Sequence, residues 1–320
     1  MKWEKLGKIF DPAKFTLANG CTSFSQSPQA VVFDEFVRIY FSTRSFDSSS
    51  GQYLSHIAYV DFTKNFRDII SVSNHTVIEL GKLGCFDEHG IFPMNVLRVG
   101  DVIYGYTSGV NRRVSVPADG AIGLALSRDG GSTFQRIGDG PVLSASLREP
   151  CIVVDPFVKI YDGIFHMWYV FGLGWRKYSS DASLGRIYKI GHATSRDGIS
   201  WEKEEARQIL DNRLGDDECQ ALPTVIEISG RNHMFFCYRQ ASDFRKNKER
   251  SYRIGHAYSY DLNNWIRDDA SMALEVTEND WDSDMLCYPH VFECDKKIYM
   301  LYNGNDFGRF GFGLAVLSCF

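Results

Sequence analysis

The chain has 320 residues and a formal net charge of -5, with 44% hydrophobic and 14% aromatic residues. No run of five or more Lys or Arg occurs, so the electrostatic footprint of a nucleic-acid binder is missing, and no stretch approaches the roughly 18 apolar residues that span a bilayer. Met1 to Phe10 hold Lys2, Glu4, Lys5 and Lys8 and no apolar run of signal-peptide length, which makes the cytoplasm the default compartment, with neither nucleic acid nor membrane as partner.

From the N-terminus onward the chain repeats one unit five times. The first copy, about 20-70, has Pro28, an alternating aromatic strand from Val37 to Thr43 and a short strand ending at Ala58. The second, about 86-138, has Pro93, Val102 to Thr107, Ile122-Gly-Leu-Ala125 and a turn at Ser127-Arg-Asp129-Gly before Phe134. The third, about 148-205, has Pro156, Ile164 to Val170, Ile190-Gly-His-Ala193 and Ser195-Arg-Asp197-Gly before Trp201. The fourth, about 216-268, has Pro223, His233 to Tyr238, Ile254-Gly-His-Ala257 and Ser259-Tyr-Asp261 before Trp265. The fifth, 282-320, has Pro289, Ile298 to Tyr302 and Phe312-Gly-Leu-Ala315.

Period-two alternation marks each aromatic run as a strand, and Asp-Gly favours a tight hairpin because Gly accepts positive φ. The Pro lies 13 residues before the matching aromatic in four copies and 15 before Tyr238 in the fourth. Each copy therefore reads as four strands, except that the fifth lacks its last. Trp3-Glu-Lys-Leu-Gly, within residues 1-10, has the pattern of the missing strand. Repeats of this length made of strands imply an all-β, single-domain, five-bladed β-propeller whose ring is closed by the N-terminal strand pairing with the last blade, which removes an exposed edge.

Eight cysteines without a Cys-x-x-Cys pair, several inside apolar strands, read as reduced buried thiols. No metal-ligand spacing occurs and no cofactor is expected, although carboxylates crowded in a channel could accept calcium.

In a propeller the first strand of every blade lines the central channel. With the Pro as register mark, the residue five before it is Glu88, Glu218 or Asp284 in three copies, next to Asp87 and His89 in the second; the third copy offers Glu149 and Asp155. Carboxylates crowded in a channel separate in pKa, one protonated and one ionised, which suits acid and base roles. Glu149, Glu218 and Asp87 are the candidate catalytic groups. Arg44 and Arg239, at the ends of second strands, carry forked donors suited to an anionic part of a ligand or to bracing a channel carboxylate. Trp175, in the loop Gly172-Leu-Gly-Trp-Arg-Lys, and Tyr288 suit stacking on a sugar face. Gln26, Glu88, His89, Asp155, Asp284 and Asn303 complete the expected ligand-binding set, while Trp201 and Trp265 are assigned to blade interfaces.

The pattern Ala193-Thr-Ser195-Arg-Asp197-Gly198-Ile-Ser-Trp201, repeated along essentially the whole chain, resembles that of the five-bladed glycoside hydrolases of families 43, 32 and 68 and the related family 130 phosphorylases. Phe86-Asp87-Glu88-His89-Gly90-Ile91 and Tyr302-Asn303-Gly304-Asn305 are similar to segments of glycosidase-like members expected near bacterial surface-polysaccharide genes. The resemblance implies a carbohydrate-active hydrolase or transferase. The chain departs from the family where an essential acid would precede the first-copy Pro, having Gln26 and Ser27, and where Met94 follows Pro93; of the usual acids only Glu149 has a counterpart. A propeller that binds a sugar or nucleotide sugar without cleaving it is the alternative, and a scaffold the third. Ser127-Arg-Asp129-Gly-Gly-Ser-Thr-Phe134 also fits the Asp-box of sialidases, whose six blades differ from five.

Overall fold

The computed structural model describes residues 1–178 and 181–319; residues 179 and 180 of the expected third copy and Phe320 of the fifth lie outside the described residues. Strand β1 (Lys2–Phe10) opens the chain. Blade one is β2 (Ser23–Val32), β3 (Phe36–Asp47), β4 (Gln52–Thr63) and β5 (Ile69–Val72). Blade two is β6 (Ile91–Val99), β7 (Val102–Arg112), β8 (Ala118–Ser127) and β9 (Gln135–Arg136). Blade three is β10 (Cys151–Tyr161), β11 (Ile164–Tyr178), β12 (Asp181–Ser195) and β13 (Glu202–Lys203). Blade four is β14 (Glu218–Ile228), β15 (Arg231–Gln240), β16 (Arg253–Ser259) and β17 (Ile266–Arg267). Blade five is β18 (Cys287–Cys294), β19 (Lys297–Asn303) and β20 (Phe312–Cys319), and β1 pairs antiparallel with β20 as its fourth strand.

The protein is thus an all-β, five-bladed propeller closed by its N-terminal strand. Strand β1 alternates exposed and inward residues, and the inward Trp3 and Phe10 are buried. Phe10 packs on Phe41 of blade one and Phe312 of blade five, with ring centroids 5.1 and 5.2 Å away, so the closing strand is sealed by hydrophobic contact as well as by the ladder.

The blades are held to one another by core layers and by polar staples. Trp201 lies edge-on to Tyr106 of the preceding blade, and Trp265 to Trp168. Tyr40 Oη donates to the carbonyl of Gly131 at 2.7 Å and Tyr106 Oη to that of Gly198 at 3.0 Å, each joining a second strand to the Ser-x-Asp turn of the next blade. Gly131 sits at φ +84°, and a Cβ there would lie 2.2 Å from Tyr40 Oη, so this close approach requires glycine. In the turns themselves Asp197 accepts the amides of Ile199 and Ser200, both at 2.8 Å, and those bonds hold its carboxyl down to about 2.

One spacing is corrected by the register. Thr224, just after Pro223, pairs with Phe235, as Gln29 pairs with Tyr40 and Phe157 with Trp168. The aromatic equivalent to Phe41 and Tyr169 is therefore Phe236, 13 residues after its Pro, and not Tyr238; Phe236 is fully buried.

Each first strand is interrupted at its X-Pro step. The ladders break between Gln26 and Gln29, Ile91 and Met94, Val154 and Phe157, Ala221 and Thr224, and Cys287 and His290. The residue before the Pro is left-handed in four blades: Ser27 at φ 52°, Asp155 at 54°, Leu222 at 48° and Tyr288 at 59°, while blade two has the cis Phe92-Pro93 peptide. A left-handed non-glycine residue costs about 1–2 kcal/mol, and such strain gathers at functional sites. The bulge breaks the strand's simple alternation at this step in every blade.

Candidate funnel site

Phe92, Asp155 and Tyr288, three of these five pre-Pro residues, line the floor of a central cavity. The floor, about 100 Å³, shares Phe92, Arg186, Tyr252 and Tyr288 with a wider funnel of about 640 Å³ above it. Phe24, Tyr53, Phe244 and Phe307 give the funnel aromatic walls. Its charge is supplied mainly by arginines from every blade: Arg44, Arg112, Arg186, Arg239, Arg245 and Arg309. All but Arg239, at the end of β15, lie at or near the connection between the second and third strands of a blade.

Asp155 is 8% exposed. Its backbone amide donates to Ser108 Oγ at 2.7 Å. Burial pushes its carboxyl up to about 7 against the opposing pull of the Leu222 amide and of Arg186. Beside it a series of polar contacts crosses the wall: Arg239 Nη2 donates to Tyr188 Oη at 2.8 Å, and Tyr188 Oη lies 2.6 Å from Tyr252 Oη. Tyr252 and Tyr288, with rings 5.6 Å apart, face the cavity together.

The residues expected to form the acid-base pair lie elsewhere. Glu149 is fully buried and accepts from Tyr169 Oη at 2.8 Å, from the amide of Ala206 at 3.0 Å and from Lys203. Glu218 accepts from Arg267 Nη1 at 2.5 Å, from Gln220 at 2.9 Å and from the amides of Arg213 and Leu214 at 2.7 and 2.8 Å. Asp87 is held by Arg136 through Nε at 2.8 Å and Nη2 at 2.6 Å. Asp282 and Lys5, at 2.6 Å, repeat the pattern in blade five. Each of these four acids meets a base on its own blade's fourth strand, and none of the four lines the funnel.

Of the expected ligand contacts, Gln26, Arg44, His89, Arg239 and Tyr288 line the funnel, and Asp155 its floor. Gln26 Nε2 donates to the carbonyl of Phe307 at 2.7 Å, and His89 Nδ1 accepts the Arg112 amide at 3.4 Å. Glu88 caps its own loop through the Gly84 amide at 2.9 Å, and Asp284 is exposed outside the cavity. Asn303 is a buried staple: it accepts the Ser27 amide at 2.8 Å and donates to Ser25 and Gly311, both at 2.9 Å. Trp175 stands behind Arg186, whose guanidinium lies 5.8 Å from its ring, and does not reach the cavity lining.

Arg112, Arg186, Arg245, Arg309 and Tyr252 were not singled out by the sequence reading. Their signal is positional: every connection between second and third strands brings an arginine to the mouth, a regularity hidden because these connections differ in length. Among the described residues no group of three or more His, Cys, Asp or Glu is placed to hold a metal ion, and no helix is long and apolar enough to cross a membrane.

The fold is a five-bladed β-propeller, and solved glycoside hydrolases share it. The fold matches a complex of BT0996 with RGII at TM-score 0.73 and 16% identity, over 98% of this protein and 91% of the other. A thermostable family-43 glycoside hydrolase matches at TM-score 0.65 and 16% identity over 94% and 91%. A structure from the GH130 family of mannoside phosphorylases matches at 0.66 and 13% over 98% and 93%. At such identities the likeness is one of fold. No family model matches the sequence. The uncharacterised proteins Rv1502 and MT1551 of Mycobacterium tuberculosis are each 34% identical over 325 aligned positions, covering 99% of this protein and 100% of theirs. The chain thus belongs to the same family as Rv1502.

Proposed function

We propose that the protein is carbohydrate-active and acts on a glycosidic bond in the funnel, with Asp155 as the proton donor. The observation that carries this reading is a carboxyl at the floor of an aromatic-walled cavity whose pKa, about 7, lets it hold a proton at neutral pH. A general acid works best when its pKa lies near the working pH. Tyr252 and Tyr288 offer ring faces to the C-H surface of a sugar. In this reading Glu149, Glu218 and Asp87 are structural, their charge already spent on Lys203, Arg267 and Arg136.

Binding of a sugar or nucleotide sugar without cleavage is the second reading. It is favoured by one observation: the three carboxylates expected to supply acid and base are ion-paired away from the cavity.

A panel of aryl glycosides assayed with wild type and Asp155→Asn separates the two. Asp155→Asn should lower turnover by about 100-fold or more while the melting temperature is kept, with an alkaline limb near pH 7 in the wild-type profile. Less than a tenfold loss removes Asp155 from the chemistry. Sugar binding with no product from any member of the panel leaves the binding reading in possession.

A further inference from the structure

We propose that the ligand of the funnel carries a phosphate ester of about two negative charges, clasped by Arg44, Arg186, Arg239 and Arg245. This rests on the reading that the funnel holds a sugar, and it names the chemical class of that sugar as a glycosyl phosphate or diphosphate.

Arg38, Arg136 and Arg267 each meet a buried carboxylate within 2.8 Å. None of the four funnel arginines has a carboxylate within ion-pair distance among the described residues, although Arg239 is only 1% exposed. Arg186 shares the cavity floor with Asp119 and Asp155 and forms an ion pair with neither, and burial pushes the Asp155 carboxyl up to about 7, which weakens it as a counter-charge. Like charges are also close enough to act on each other: desolvation lowers the Arg44 pKa and Arg245 adds to it, while Arg186 and Arg239 add to the desolvation that lowers Arg245. Arg44 Nε and Arg239 Nε are buried donors without an acceptor. A cluster of this kind is an incomplete structure whose missing part is an anion.

The walls hold the guanidinium planes in place. Arg239 lies 3.5 Å over Phe244, Arg44 4.7 Å over Phe24 and Arg245 4.6 Å over Phe307. Stacking fixes the planes of the forks; Arg239 already donates through Nη1 to the Gln240 carbonyl at 2.7 Å and through Nη2 to Tyr188 Oη, and its Nε, like that of Arg44, is left without an acceptor. A neutral sugar brings no charge to this cluster, and a uronate brings one. A phosphate ester brings about -1.5 to -2 at pH 7 and three acceptor oxygens suited to forked donors.

The test is titration calorimetry at two salt concentrations with glucose, glucuronate, glucose 1-phosphate, UDP, UDP-glucose and inorganic diphosphate, on wild type, Arg44→Gln and Arg245→Gln. At least one phosphate-bearing probe should bind tenfold or more tighter than glucose and glucuronate, weaken with salt, and lose tenfold or more in each variant. Melting temperatures of the variants should be unchanged or higher, since each removes an unpaired charge. UDP-glucose against glucose 1-phosphate distinguishes a nucleotide diphosphate from a simple ester. Glucose or glucuronate binding as tightly as the phosphates overturns the proposal, as does the failure of every phosphate probe at millimolar concentration. Arginine-dependent binding of UDP or inorganic diphosphate with no gain from an attached sugar overturns the sugar reading instead and leaves the phosphate site standing.

Discussion

Glu218 and Asp155 are both buried carboxyls in one molecule, and their neighbours give them opposite behaviour. Glu218 has four donors, one of them a guanidinium that is itself 1% exposed on its side chain. Removing one partner from such a pair strands the other. Glu218→Gln and Arg267→Met should each cost about 3–5 kcal/mol, measured by urea unfolding. Asp155 has its folded pKa raised from 3.8 to about 7, so the fold prefers its protonated form. Its contribution to stability is complete below pH 4 and is lost as the pH rises toward 7. Asp155→Asn should therefore be as stable as wild type below about pH 4 and increasingly more stable than wild type from pH 5 to pH 8. A stability loss at pH 8 in Asp155→Asn equal to that of Glu218→Gln would remove this contrast. The sequence shows both as acids near a Pro; the partner that separates them lies 49 residues away in the case of Arg267.

At the level of strands, the Ile-Gly-His-Ala repeat places His192 on β12 and His256 on β16, each bonded across the blade to a histidine of the second strand. His166 Nδ1 lies 3.0 Å from His192 Nε2, and His233 Nδ1 2.9 Å from His256 Nε2. Burial pushes His192, His233 and His256 down to about 4, well below the 6.5 of a free imidazole. The unfolded chain therefore binds more protons at mildly acidic pH, and the stability these pairs contribute is full above pH 6.5 and lost as the pH falls toward 4. The melting temperature should be level from pH 6.5 to 8 and drop between 6.5 and 4, with the drop reduced in His192→Gln/His256→Gln. An unchanged acid profile in the double variant would show that other groups carry the loss. The same strand scale explains a miss in the site. The Pro gives a true register, but counting five residues back along an ideal strand leads to the entrance loop, as at Glu88 and Asp284. The bulge at X-Pro puts the residue directly before Pro at the floor in three blades, and a bulge cannot be seen in a pattern of period two.

For the molecule as a whole, the ring depends on a contact between residues more than 300 apart. Phe10 is 2% exposed among Phe15, Phe41 and Phe312. Phe10→Ala should cost about 3–5 kcal/mol, with unfolding still a single transition because every core cluster is shared between neighbouring blades. Two separated transitions by calorimetry would show that blade five detaches by itself.

The sequence by itself determined the architecture: repeats, alternation, Pro spacing and turn residues are local, and each blade states them again, so that one irregular copy does not obscure the rest. Of the residues it offers as ligand contacts, Gln26, Arg44, His89, Asp155, Arg239 and Tyr288 line the funnel or its floor, because those lie near register marks. Only the tertiary structure decided the character of the site. Acids that look available in sequence are neutralised by bases on the far edge of the same blade, and arginines that look scattered meet in one funnel without such partners. Charge compensation is a property of distance in space, and a closed ring brings together residues whose separation in sequence carries no trace of it.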